Sequence, residues 1–190
     1  MLINPLRVKR FLLIVALVFV SVGKSVSQEW NSARLSVLYG SSIPFNFNSL
    51  EKIKNGIEIS TGTRFGISMS DSVGHILIGF VLNCRAFNNQ PILKGDSYSL
   101  PLNRISIKAE NLIGLESGTS YGYKDLTSDW IPLFSYTNLT WTDLSWLNNQ
   151  LNISFQCGKL TESGENASLM GEEPDYYNVE VEFELVPTFQ

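Results

Sequence analysis

Nine consecutive residues, Tyr177-Asn178-Val179-Glu180-Val181-Glu182-Phe183-Glu184-Leu185, alternate without a break. Every odd position is apolar or aromatic, and every even position is Asn or Glu. Successive side chains of a strand point to opposite faces, so the pattern gives one oily face and one wet face. Wound into a helix, the same residues would scatter apolar groups around the circumference. A segment of this kind needs partner strands and a core beneath them, which the rest of the chain must supply.

Weaker alternation recurs elsewhere. Leu35, Val37 and Tyr39 share one parity, as do Phe45 and Phe47. Ile57, Ile59, Thr61, Thr63, Phe65, Ile67 and Met69 hold another, with Gly62 marking a bend or bulge. Ile76–Ala86 is apolar on both parities at its start, as in a strand covered on both faces. Ile105 with Ile107, Ile131–Tyr136 and Leu151–Cys157 complete the set. Turn markers separate the runs, among them Lys54-Asn55-Gly56, Lys94-Gly95-Asp96 and Ser163-Gly164-Glu165. Helical candidates are short: Ser49–Lys54, capped by Ser49, and Thr142–Leu147. The reading is an all-β fold, an antiparallel β-sandwich of about seven to nine strands.

The first residues read as an address. Arg7, Lys9 and Arg10 precede a run of 12 largely apolar residues, Phe11–Val22, and Ser25 and Ser27 fit a signal-peptidase site before Gln28. The run is shorter than the roughly 20 residues a membrane span needs. The expected organisation is a signal peptide over 1–27 and one β-sandwich domain over 28–190, with no transmembrane anchor after cleavage and a secreted, periplasmic or cell-surface location. Cleavage removes four of the 14 Lys and Arg and none of the 18 Asp and Glu, taking the formal charge from −4 to −8. An acidic chain is a poor match to a phosphate backbone, so no nucleic-acid partner is expected.

Export permits a disulfide between Cys84 and Cys157. Both lie on apolar parities, so they either bridge facing sheets or stand as two separate core residues. Asp71-Ser72-Val73 offers Ser72 as an O-glycosylation acceptor, and Asn152-Ile153-Ser154 matches the N-glycosylation pattern.

Catalytic constellations are sparse. His75, the single histidine, follows a turn, and no serine sits in a G-x-S-x-G elbow. Glu180, Glu182 and Glu184 lie at a spacing that paired glycosidase acids tolerate, but they read first as a solvated strand face. Glu172, Glu173 and Asp175 group oxygen ligands without the spacing of a calcium loop. No catalytic residue, metal or cofactor is expected. The binding candidates are Tyr121, Tyr123, Trp130, Trp141 and Trp146, aromatic rings among Ser, Thr and Asn that suit a sugar or a protein partner.

The order of segments carries a resemblance. FNFNSLEKIKNGIEI (Phe45–Ile59), FVLNCRAF (Phe80–Phe87), SLPLNRISIKAE (Ser99–Glu110), LNISFQCG (Leu151–Gly158) and PDYYNVEVEFELVP (Pro174–Pro187) follow one another. This series resembles small secreted β-sandwich proteins of Bacteroidota, similar in turn to spore-coat-U-like and fimbrial-subunit-like domains. Asp175, Tyr177, Val181 and Phe183 match the last-strand pattern of those domains. Phe80 stands where a Trp is usual, and the two cysteines are outside the pattern. The resemblance implies an Ig-like, pilin-like sandwich and a non-enzymatic surface or filament component, with other subunits or glycans as partners. A carbohydrate-binding module using the aromatic-rich region is the alternative.

Overall fold

Sheets form where the alternation predicts them, and their neighbours decide how much of each strand is covered. The computed structural model describes residues 33–69, 76–114, 121–137, 145, 147–159 and 167–190. In chain order the elements are β1 (Arg34–Tyr39), α1 (Leu50–Asn55), β2 (Ile57–Ser68), β3 (Leu77–Ala86), β4 (Ile92–Lys94), β5 (Ser99–Pro101), β6 (Ile105–Ile113), β7 (Lys124–Asp125), β8 (Ile131–Thr137), β9 (Gln150–Cys157) and β10 (Val181–Phe189). The fold is all-β and antiparallel. Among the described residues ten strands exceed the expected seven to nine because β4, β5 and β7 are only two or three residues long. Alternation has no room to show itself over that length.

One sheet has the order β1-β2-β9-β6-β7, a second β10-β3-β8, and β4 and β5 form a hairpin. The two larger sheets share a core. Phe65 of β2 meets Phe183 of β10 edge-on, with ring centroids 4.9 Å apart. Phe80 and Phe134 stack at 5.8 Å within the second sheet. Leu82, Cys84, Ile107 and Ile153 are completely buried. Each large aliphatic side chain so buried contributes about 1.5–3 kcal/mol.

The helix α1 starts where Ser49 caps it, its hydroxyl accepting the Lys52 N–H at 3.3 Å. It ends at Gly56, whose φ of 71° suits glycine. The expected irregularity near Gly62 is a register shift between Ile59 and Thr63. Thr61 there has φ 55°. A β-branched residue in that region is strained by roughly 1–3 kcal/mol. The shift is held by the Thr61 N–H donating to Ser154 Oγ at 3.2 Å and the Tyr39 hydroxyl donating to the Thr61 carbonyl at 2.8 Å.

Two strand boundaries differ from expectation. Phe45–Asn48 forms no strand and belongs to no ladder, and the Asn48 N–H donates to the Asn46 carbonyl at 3.1 Å. The last strand pairs with β3 from Val181 rather than Tyr177, because Asn178 exchanges two backbone hydrogen bonds with Lys94 of β4 instead. It then runs through Pro187. The Phe87 N–H donates to the Glu180 carbonyl at 2.8 Å, and the register opposes Val181 to Ala86. Even β10 residues therefore turn their backbone toward β3, and odd ones turn it away. Pro187 lies on the odd set, so its missing N–H takes nothing from the ladder.

Candidate functional site

Both β1 and β10 end their sheets, and each keeps a free backbone edge among the described residues. On β1 the phase follows from β2. Ile67 N–H donates to the Asn149 carbonyl at 2.9 Å, so odd β2 residues bond toward β9 and even ones toward β1. Leu35 and Val37 then present their N–H and C=O groups outward, as Val181, Phe183 and Leu185 do on β10.

Between these edges runs a groove of about 1080 Å³, with Val37, Phe45, Phe65, Phe155, Val181 and Phe183 among its walls. Val37 lies opposite Phe65 in the register, on the core-facing parity, and is nonetheless 58% exposed. The core-facing row of β10, Val181, Phe183 and Leu185, is only half-buried. An unbroken sheet would cover these side chains.

The segment Gly40–Asn48 crosses the groove as a strap. Ile43, Phe45 and Phe47 alternate with exposed Ser42, Pro44, Asn46 and Asn48, and Ile43 and Phe45 pack on the core. Its backbone is tied at one end, where Thr63 Oγ1 donates to the Gly40 carbonyl at 2.5 Å. Lys52 Nζ reaches the Asn46 carbonyl at 3.5 Å. The strap fills part of the opening with side chains while adding no ladder to either edge.

The acidic residues around the groove have assigned work. Asp175 Oδ2 accepts the backbone N–H groups of Ser97 and Tyr98 at 2.8 and 2.9 Å, and Oδ1 accepts that of Tyr176 at 2.8 Å. The Ser97 N–H first, then that of Tyr98, hold its carboxyl down at about 2. Glu172 accepts from Arg104 Nη2 at 2.6 Å. Both Asp175 oxygens and one oxygen of Glu172, two members of the acidic group Glu172, Glu173 and Asp175, thus accept hydrogen bonds from within the chain. Among the described residues no group of three His, Cys, Asp or Glu is placed to hold a metal ion. Glu182 of β10 is ion-paired with Arg85, whereas Glu184 of β10 and Glu180 just before it are exposed.

The aromatic candidates are dispersed. Tyr121 packs edge-on against Phe134 at 5.0 Å, and its hydroxyl donates to the Ser135 carbonyl at 2.8 Å. Trp130 lies on the other sheet under the Arg85 guanidinium, 4.3 Å from its ring centroid. Arg85 also donates to Asn89 Oδ1 at 2.8 Å, which fixes that stack. Tyr123 lies beside Lys108 of β6, 5.1 Å from ring centroid to ammonium. Burial raises its phenol above the ordinary range, and Glu58 beside it adds to the shift. Trp141 and Trp146 lie outside the described residues, as do His75, Ser72 and most of Thr142–Leu147. Asn152 is buried and accepts from Arg64 Nε at 3.1 Å, so the folded chain cannot offer it to a glycan.

Cys84 and Cys157 are free, buried thiols on different sheets. The bridge that the sequence left open is not made, and each cysteine is a small core residue. Burial pushes both thiols up to about 12.

Alternation alone misplaces one residue that matters. It puts Tyr39 with Leu35 and Val37, facing inward. A register shift between Val37 and Tyr39 turns the ring to the opposite face, where Arg64 lies 5.1 Å from its centroid. The only available signal was Gly40 directly after it, a residue that tolerates the turn at φ 78°.

Compared with known proteins, the chain matches no family model, and no curated protein matches it significantly. Among the described residues no helix is long and apolar enough to cross a membrane.

Proposed function

We propose that this chain is an exported, non-enzymatic protein that serves as a cell-surface or fimbria-like structural and adhesive component. It joins other surface or filament subunits through the groove between β1 and β10. The signal segment, the Ig-like and pilin-like sandwich frame and the likeness to fimbrial-subunit-like domains all belong to this proposal. One observation carries it: two free strand edges flank a groove whose apolar side chains are half-covered. An extended segment from another subunit can add backbone hydrogen bonds to such an edge while its alternate side chains enter the groove.

The test uses the mature chain from Gln28 to Gln190. Sedimentation over rising concentration should show association, and antibody labelling of intact cells should reach the protein. Leu185→Pro removes an outward N–H without breaking a bond to β3, so it should reduce association while the circular-dichroism spectrum stays that of a sheet. A mature protein that remains monomeric at high concentration and is inaccessible on intact cells would overturn the proposal.

A further inference from the structure

The outer face of the five-stranded sheet is a second surface, separate from the groove. On it Tyr39, Arg64, Asn152 and Glu110 form one rung across β1, β2, β9 and β6. Arg64 is fixed at two points, by Asn152 Oδ1 at 3.1 Å and by the Tyr39 ring at 5.1 Å. Tyr39 is fixed in turn through its hydroxyl, bonded to the carbonyl of the strained Thr61 at 2.8 Å. Tyr39 as a residue remains 42% exposed. Beside this rung Ser154 opposes Lys108, and Lys108 reaches the ring of Tyr123. Asn152 and Ser154 are buried polar residues on the sheet's outer face, pinned beneath their longer neighbours.

The chemistry of these rungs selects among partners. They carry no large aliphatic side chain, and a protein interface is anchored by such groups or by aromatic pockets at its centre. Arg64 and Lys108 interleave with Glu110 and Glu58, and Glu58 is paired with Lys159 at 2.7 Å. A polyanion would meet those carboxylates. An uncharged polyhydroxylated chain meets no such penalty, because each hydroxyl both donates to a carboxylate and accepts from a cation. An exposed tyrosine held edge-and-face by fixed neighbours supplies a platform for the apolar face of a sugar ring. From β1 to β7 the sheet spans four strand spacings, roughly 19 Å, which leaves room for several sugar units.

We infer that the outer face of the five-stranded sheet binds an uncharged oligosaccharide laid across the strands, stacked on Tyr39 and hydrogen-bonded by Arg64, Lys108 and Glu110, with the buried Asn152 holding Arg64 in place. The site uses a different surface from the assembly groove and stands whether or not the chain assembles.

Affinity electrophoresis of the mature protein through gels containing mannan, laminarin, xylan or galactan tests this, with heparin and polygalacturonate in parallel. At least one neutral polysaccharide should retard the protein. Tyr39→Ala should weaken that retardation by roughly tenfold, and Tyr39→Phe, which keeps the ring, should restore most of it. Lys108→Ala, at a partly exposed position, provides a second variant should Tyr39→Ala fail to fold, and should weaken retardation by roughly threefold or more. Trp130→Ala, on the other sheet, should leave it unchanged. Three results would each overturn the inference: no retardation by any neutral polysaccharide, retardation by polyanions alone, or retardation indifferent to both Tyr39→Ala and Lys108→Ala.

Discussion

Strands β9 and β10 have the same kind of sequence and different fates. In β9, Leu151, Ile153, Phe155 and Cys157 alternate with Asn152, Ser154 and Gln156, and in β10 Val181, Phe183 and Leu185 alternate with Glu182 and Glu184. The β9 strand sits between β2 and β6, so even its polar row is buried. The β10 strand has a neighbour on one side only, so even its apolar row is half-exposed. Alternation sorts side chains between two faces. Burial depends on how many strands stand alongside, which alternation does not record.

That contrast can be broken most directly by truncating both apolar rows. Ile153→Ala should cost about 3–4 kcal/mol in a urea melt, because the cavity in β9 has no solvent-facing side into which it can collapse. Leu185→Ala on β10 should cost about 1–1.5 kcal/mol, since water already reaches that side chain. Equal costs would mean that β10 is as well covered as β9.

The polar rows give the next effect. Asn152→Ala removes the acceptor of Arg64 Nε beneath its neighbours and should cost about 1–2 kcal/mol. Glu184→Gln on exposed β10 should stay within about 0.5 kcal/mol. The same urea melts separate the two.

Acid should act on the hairpin and strap side of the molecule. Asp175 is held at about 2, against an ordinary 3.8, chiefly by the Ser97 N–H. A carboxylate lowered in the folded state stabilises it above the unfolded value, and that stability is lost as pH falls from about 4 toward 2. Glu58, lowered mainly by its hydrogen bond from Lys159, acts in the same direction. Thermal melts from pH 5 to 2 should therefore decline, and Asp175→Asn should flatten part of that decline. An identical acid limb in the variant would remove Asp175 from the account.

The smallest signal is kinetic. Cys84 lies opposite Phe183 of β10, whereas Cys157 lies in β9 between Ile57 and Ile105. Both thiols are buried and weakly acidic, so an aromatic disulfide reagent should label neither at pH 8 in the folded protein. In low urea Cys84 should be labelled first if the three-stranded sheet opens before the five-stranded one. Simultaneous labelling would show that the two sheets open together.

Several features were legible in the residue order. The alternation from Tyr177 to Leu185 located the last strand, the paired apolar parities placed Cys84 and Cys157 inside, and Ser49 marked the start of α1. Other features were not. Phe45 and Phe47 alternate like a strand, yet the chain there lines a groove and pairs with no strand. Tyr39 shares its parity with Val37, yet one shifted residue turns it outward onto Arg64. Tyr121, Tyr123 and Trp130 are neighbours in sequence, yet they go to the core, to one sheet and to the other.

By itself the sequence determined that this protein is built of antiparallel strands, and which row of each long strand faces oil. Both follow from local rules of a period of two. The tertiary structure alone decided which strands stand at the edges, where the groove opens and which polar side chains meet on the outer face. Those outcomes depend on pairings between residues far apart in the chain, such as Arg64 with Asn152 and Phe65 with Phe183, and no local pattern encodes them.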